Sequence, residues 1–251
     1  LPVTNTSNEP ETYYPTIQAA INATETLDGH TITVCAGTFA ENITVSKRLT
    51  IKGAGPNLTI IQGSTNGADV IRITKGGTDA VNRTIIKDLQ VTSTGANNNG
   101  IKIDASSANA LGYITIENVD GLNMPGTSAG VLLHGTAVTT DIITDVKLID
   151  VNFASNYFGV YSKNAQINGF TVDGVAGRSK FEDNRHSGIL FEGGALATQF
   201  QDFLIHKTDL SRNNSNGDTD TGHGELFLLG FNGNLDVDDV VVTTGLPTYK
   251  A

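Results

Sequence analysis

Apolar and polar residues alternate along most of this chain in short runs separated by glycine and asparagine turns. After Asp28-Gly29 the pairs Ile32 and Val34, Ile43 and Val45, Leu49 and Ile51, Ile60 and Ile61, and Val70 and Ile73 follow one another. Such alternation puts one face of each segment in a core and predicts half-buried strands. One segment differs. Pro15-Thr16-Ile17-Gln18-Ala19-Ala20-Ile21 places Ile17, Ala20 and Ile21 at the i, i+3, i+4 spacing of a short amphipathic helix, with proline near its start. The stretch before it, residues 1–14, is polar and carries Pro2 and Pro10, so it reads as an extended arm leading to a single domain over residues 15–251.

Short strands in series suit a sandwich as well as a solenoid, and internal repeats decide between them. Gly100-Ile101, Gly130-Val131, Gly159-Val160 and Gly188-Ile189 recur about every 30 residues, the length of one solenoid coil. A second strand recurs in phase: Ile86-Lys87-Asp88-Leu89-Gln90-Val91, Ile114-Thr115-Ile116-Glu117-Asn118-Val119, and Val146-Lys147-Leu148-Ile149-Asp150-Val151. A corner recurs too, as Phe153-Ala154-Ser155-Asn156, Phe181-Glu182-Asp183-Asn184 and Leu210-Ser211-Arg212-Asn213. Stacked coils set such asparagines above one another, where their amides bond along the axis and asparagine tolerates a left-handed corner. The pattern predicts an all-β chain, a right-handed parallel β-helix with a short N-terminal capping helix.

Composition narrows the partners. The net charge of −10 with basic residues scattered singly argues against nucleic acid. An acidic surface suits calcium, salt-rich surroundings or a neutral polysaccharide, and solubility alone explains it equally well. No apolar run reaches the roughly 20 residues of a membrane helix, which argues against membrane insertion. Cys35 is the only cysteine, so no disulfide framework exists, and its place between Val34 and Ala36 predicts a buried, inert thiol. The first residue is Leu1, which reads as a processed or excised product. Asn-X-Ser/Thr sequons at Asn5, Asn22, Asn42, Asn57, Asn82 and Asn213 agree with an extracellular or cell-surface location.

Ile17-Gln18-Ala19-Ala20-Ile21, Asp28-Gly29-His30-Thr31-Ile32, Ala36-Gly37-Thr38-Phe39-Ala40-Glu41-Asn42-Ile43 and Leu49-Thr50-Ile51-Lys52-Gly53 together resemble the pectin-lyase-like superfamily. The likeness is to the capping helix and first turns of pectin methylesterases and surface-associated β-helix repeat proteins, and it spans roughly Thr16 to Gly63. It implies a capped right-handed β-helix. It carries no activity, because those residues are structural in the family. Pectin methylesterases place paired aspartates, glutamines, an arginine and a tryptophan in their cleft, and this chain has no tryptophan. Lyases of this fold need calcium-binding acids beside a base; Arg178 and Lys180 near Asp183 match no such motif and suit solvated loop positions.

Gly222-His223-Gly224 looks like the histidine motif of polygalacturonases, with Asp218 and Asp220 as acid or base in the same loop. The same loop spaces oxygen donors at Asn216, Asp218 and Asp220, which suits a calcium ion. An ordinary acidic loop is the favoured reading of these residues over either site. After Val237-Asp238-Asp239-Val240-Val241-Val242 no capping helix follows, so the C-terminal rim is expected as a surface for self-association. The resulting expectation is an extracellular, non-enzymatic scaffold or adhesion module that binds a polysaccharide or cell-surface glycan on a long lateral face. The competing expectation is a polysaccharide lyase or glycoside hydrolase working through Asp218, Asp220 and His223.

Overall fold

The computed structural model describes residues 2–107, 110–136, 139–192, 200–214 and 224–243. The chain opens with β1 (Val3–Asn5), β2 (Thr12–Tyr14) and α1 (Ile17–Asn22). A first coil holds β3 (Thr31–Val34), β4 (Gly37–Phe39) and β5 (Ile43–Val45), and a second holds β6 (Thr50–Lys52), β7 (Thr59–Gly63) and β8 (Ile71–Ile73). From there longer strands carry the coil: β9 (Thr84–Ser93) and β10 (Ile101–Asp104), β11 (Ala110–Gly121) and β12 (Ala129–His134), β13 (Ile142–Ile149) and β14 (Phe158–Lys163). They are followed by β15 (Gln166–Asp173), β16 (Ser179–Glu182) and β17 (Ser187–Glu192), then β18 (Phe200–Ser211), β19 (Gly224–Leu229) and β20 (Leu235–Thr243).

Every strand from β3 onward pairs in parallel with its counterpart one coil away, such as Ile116 with Ile86 and Leu148, and Val131 with Ile101 and Val160. This is the expected right-handed parallel β-helix. β5, β8, β10, β12, β14, β17 and β19 form one sheet, and the remaining strands form the other. Alternate residues fill the interior, among them Ile51, Ile86, Ile116, Leu148, Val172 and Ile205, all essentially without solvent exposure. Toward the C-terminal coils the interior turns aromatic, with Phe170, Phe191, Phe200 and Phe203 in mutual contact.

Left-handed residues turn the coil, and they stack. Tyr113, Asp145, Gly169 and Asp202 share one corner, Asp88, Asn118, Asp150, Lys207 and Asp239 a second, and Asn123, Ser155, Asp183 and Arg212 a third, all with positive φ. Asparagine and aspartate dominate because their short side chains bear this conformation at the least cost. The third corner corrects the expectation for the repeated asparagines. The left-handed residue is the one before each asparagine, and that turn directs Asn156, Asn184 and Asn213 inward, where all three are buried. There the Asn156 N–H donates to Asn184 Oδ1 at 3.0 Å and the Asn184 N–H to Asn213 Oδ1 at 3.1 Å. Their amides donate to Gly121, Phe153 and Phe181 carbonyls. The recurrent glycines lie beside this ladder: a Cβ on Gly130 would meet Phe153 at 2.7 Å, and one on Gly188 would meet the Asn213 amide at 2.7 Å.

The N-terminal rim is closed on both sheets. β1 lies antiparallel on β3, pairing Val3 with Val34, and β2 pairs in turn with β1. α1 buries Ile17, Ala20 and Ile21 as its periodicity predicts, with Thr16 as N-cap. The Glu41 carboxylate accepts from the free N–H groups of Ile17 and Gln18, both at 3.0 Å. Gln18 completes the closure: its Oε1 accepts from Thr44 N at 2.7 Å and its Nε2 donates to Thr44 O at 3.3 Å, so one amide stands in for a strand beside β5. At the other end Leu235, Val237 and Val242 occupy interior registers opposite Phe203, Ile205 and Leu210, yet remain substantially exposed. Cys35 is half-buried against the core instead of fully buried, since Val34 takes the inward position of the alternation and Cys35 follows it on the outward phase.

Gln18→Ala leaves both backbone groups of Thr44 unpartnered at a partly buried edge. A loss of roughly 1–3 kcal/mol is expected in urea unfolding, with an unchanged m-value. A loss within about 0.5 kcal/mol, the usual spread of neutral surface changes, would show that the amide does not close this rim.

Candidate functional site

The second sheet builds the best-defined polar group on the surface. Ile71, Ile73, Ile101, Ile103, Val131, Leu133, Val160 and Ile189 point inward and are buried. The residues between them therefore face outward in one register: Arg72, Lys102, Leu132, Tyr161, Leu190 and Phe227. Successive members are one strand spacing apart, about 4.7–4.9 Å.

At the N-terminal end of this row the charges converge on Asp104, whose side chain is 1% exposed. Arg72 Nε donates to Asp104 Oδ2 at 2.7 Å, and Lys102 Nζ stands 3.5 Å from the same oxygen. His134 Nδ1 lies 3.0 Å from Oδ1, and Ser106 Oγ donates to that oxygen at 2.5 Å. Burial works against ionisation of Asp104, but the bonds from Ser106 and His134, the Lys102 charge and the Arg72 bond outweigh it and hold the carboxyl well below the usual range. Asp69, bonded by the Asn99 amide at 2.7 Å, lies 3.9 Å from Lys102. Thus three successive coils each bring a basic side chain to one buried carboxylate, and Arg72 keeps 40% of its side chain in solvent.

Farther along, the face turns aromatic. Phe158 stacks on Tyr161 with centroids 4.5 Å apart, and the His186 ring lies 4.7 Å from Phe158. Tyr157 packs edge-on to Phe158, and the Arg185 guanidinium stands 5.5 Å over the Tyr157 ring. Leu132 and Leu190 pack with Phe158, and Phe227 joins them. The Tyr161 hydroxyl donates to Glu192 at 2.8 Å; burial and then that carboxylate push its phenol up, so it stays protonated. Arg72 and Lys102, charge-balanced by Asp104 and Asp69, with the half-buried Tyr161 and Phe227 beyond them, put polar and apolar contacts in one row that an elongated sugar ligand can use.

The residues singled out from sequence are not brought into this face. Asp218, Asp220 and His223, and Asn216 of the calcium proposal, lie outside the described residues. Among the described residues no group of three metal-ligating side chains converges. Arg178 and Asp183, neighbours in sequence, have separate partners: Arg178 reaches two coils on to Asp239 at 3.0 Å, and Asp183 accepts from Arg212 Nε at 2.7 Å. Lys180 sits on the outer face of the other sheet, in register with Asp209. The face actually formed was missed, although one signal was present: Ile71-Arg72-Ile73 and Ile101-Lys102-Ile103 are the same strand one repeat apart.

No family model matches this chain, and no curated protein matches it. Among solved structures it is similar to the A-module of the mannuronan C-5 epimerase AlgE4 of Azotobacter vinelandii, at 16% identity and a TM-score of 0.36, over 90% of this chain and 71% of that one.

Asp104 contributes stability only while ionised. With its folded-state carboxyl below the usual value, that contribution is complete above about pH 3.9, the ordinary aspartate value, and is lost as the pH falls toward the folded value. Asp104→Asn is therefore expected to lower the melting temperature near neutral pH and to flatten its fall in acid. Parallel acid profiles for the two proteins would contradict this arrangement.

Proposed function

We propose that this chain is an extracellular glycan-binding β-helix module that takes an acidic polysaccharide along the outer face of its second sheet. One observation carries this reading: Arg72, Lys102 and His134 gather round buried Asp104 on the face that continues as the half-buried Tyr161 and Phe227. Arg72 keeps 40% of its side chain in solvent beside Asp104 and so offers a point of contact for an anion on a surface that is otherwise acidic. Asp104 holds them at fixed positions before any ligand arrives, which lowers the ordering cost of binding. The aromatic end supplies the half-buried rings of Tyr161 and Phe227 to sugar faces, over a buried cluster of Phe158, Leu132 and Leu190, and the repeated strand spacing presents contacts at regular intervals along an extended chain.

A catalytic reading has one observation in its favour, the pairing of His134 with Asp104 beside Arg72 and Lys102. A histidine oriented by a carboxylate takes a proton, and neighbouring cations stabilise the charge that develops at a uronate carboxylate when its α-proton leaves. The proton passes to His134, the C–H electron pair becomes the new C=C bond, and the glycosidic C–O bond at the β-carbon breaks with its pair on the departing oxygen, which takes a proton from water. Turnover would then be lost in His134→Ala with binding largely kept.

The test is calorimetric titration with polyuronates and neutral polysaccharides, with product ends assayed alongside. Polyuronate binding that weakens with salt is expected, with a loss of about tenfold or more, on the order of 1.4 kcal/mol, in the Arg72→Ala/Lys102→Ala double variant and in Tyr161→Ala. Melting curves check that each variant is folded. Equal affinity for neutral glycans, or variants that bind like the parent, would refute the proposed face. New unsaturated ends that depend on His134 would replace the binding module with the lyase.

A further inference from the structure

The sequons divide by the chemistry of their amides. N-glycosylation joins Asn Nδ2 to the anomeric carbon of an oligosaccharide carried on a lipid pyrophosphate. The anomeric C–O bond to phosphate breaks, the pyrophosphate leaves with its electron pair, and Nδ2 gives up one proton and keeps one. An asparagine whose two Nδ2 hydrogens are both engaged in the fold cannot carry the sugar without breaking a native bond.

Asn5 is fully buried, with Nδ2 2.8 Å from Thr26 Oγ1 and 3.1 Å from His30 Nδ1. Asn42 donates from Nδ2 to the Ala68 and Asp69 carbonyls at 3.1 and 3.0 Å, tying the first coil to the second. Asn213 is buried in the asparagine ladder and donates to Phe181 O at 2.7 Å and to the Glu225 carboxylate. Each of these amides uses both hydrogens.

The others do not. Asn22 is the exposed last residue of α1; its Oδ1 accepts from Gln18 Nε2 at 3.0 Å, which leaves Nδ2 toward solvent chemistry. Asn57 is exposed in the turn closed by Leu58 N to Gly55 O at 3.0 Å. Asn82 is exposed and spends one Nδ2 hydrogen on Asp79 Oδ2 at 2.9 Å, which a glycosylated amide retains. None of these three lies on a strand, so a large polar sugar there displaces no coil-to-coil bond.

We infer that Asn22, Asn57 and Asn82 are the N-glycan acceptors this fold permits, and that Asn5, Asn42 and Asn213 are structural amides in sequon disguise. The hydroxyl partners add an order of events. Thr59 and Thr84 are fully buried in the folded coil, whereas Thr24 is exposed, so Asn57 and Asn82 are modified before their coils close and Asn22 remains a complete acceptor afterwards.

The experiment is secretion of the chain from a host with an oligosaccharyltransferase, release of glycans by peptide-N-glycosidase in heavy-oxygen water, and peptide mass spectrometry. Isotope label is expected among Asn22, Asn57 and Asn82 and absent from Asn5, Asn42 and Asn213 in folded protein. The Asn22→Gln/Asn57→Gln/Asn82→Gln variant should be secreted folded and free of glycan. Label at a structural amide in folded protein, glycan remaining on the triple variant, or no label anywhere overturns the assignment.

Discussion

The left-handed corner residue, repeated at the same point of successive coils, is the constraint on which the molecule depends. One such residue turns the chain sharply enough for the next segment to start a new flat strand, and stacking the corners keeps each strand above its predecessor. Asp88, Asn118 and Asp150 show how this is sustained: each bears the positive φ at modest cost, and the Asn118 amide bonds the Asp88 carboxylate below it at 2.8 Å. At the third corner the turn is taken by Ser155, Asp183 and Arg212, which are exposed, and this directs the buried asparagines that follow them to bond inside the coil. Backbone pairing then runs along the whole stack without a register slip.

Registered stacking has a consequence for the surface. Any outward residue has its counterpart one strand spacing above and below, so chemistry placed once per repeat becomes a row. The row on the second sheet uses this to combine residues about 30 positions apart: Arg72 and Lys102 one repeat from each other, and His134 one repeat from Asp104. Asp104 could not be buried alone, because desolvating a carboxylate without partners is prohibitively costly. It is tolerated because three basic side chains and a serine hydroxyl surround it, and in return it fixes where those basic groups stand. The aromatic half of the row needs no such compensation, since its rings cover one another.

Most of the architecture was legible in the chain. The glycine repeat, the recurring strand with its Asp or Asn and the helix at Ile17, Ala20 and Ile21 all report backbone constraints, and backbone constraints leave periodic marks. The position of the left-handed residue was misplaced by one because asparagine suits both a corner and an internal ladder, and only the geometry separates the two roles. Gln18 as a substitute strand was not legible, for its two bonds to Thr44 join segments with no sequence relation. The candidate face was missed for a different reason. Asp218, Asp220 and His223 stand out because they are close in sequence, whereas a solenoid gathers its side chains across repeats.

Hydroxyl-radical footprinting with and without a polyuronate tests the central claim most directly, because it reads which side chains a ligand shields. The account predicts reduced oxidation of His134, Tyr161 and Phe227 on the second sheet, with Tyr13 at the N-terminal rim and Val242 at the other end unchanged. Protection confined to either rim or to the outer face of the other sheet, with His134, Tyr161 and Phe227 oxidised as before, would contradict it.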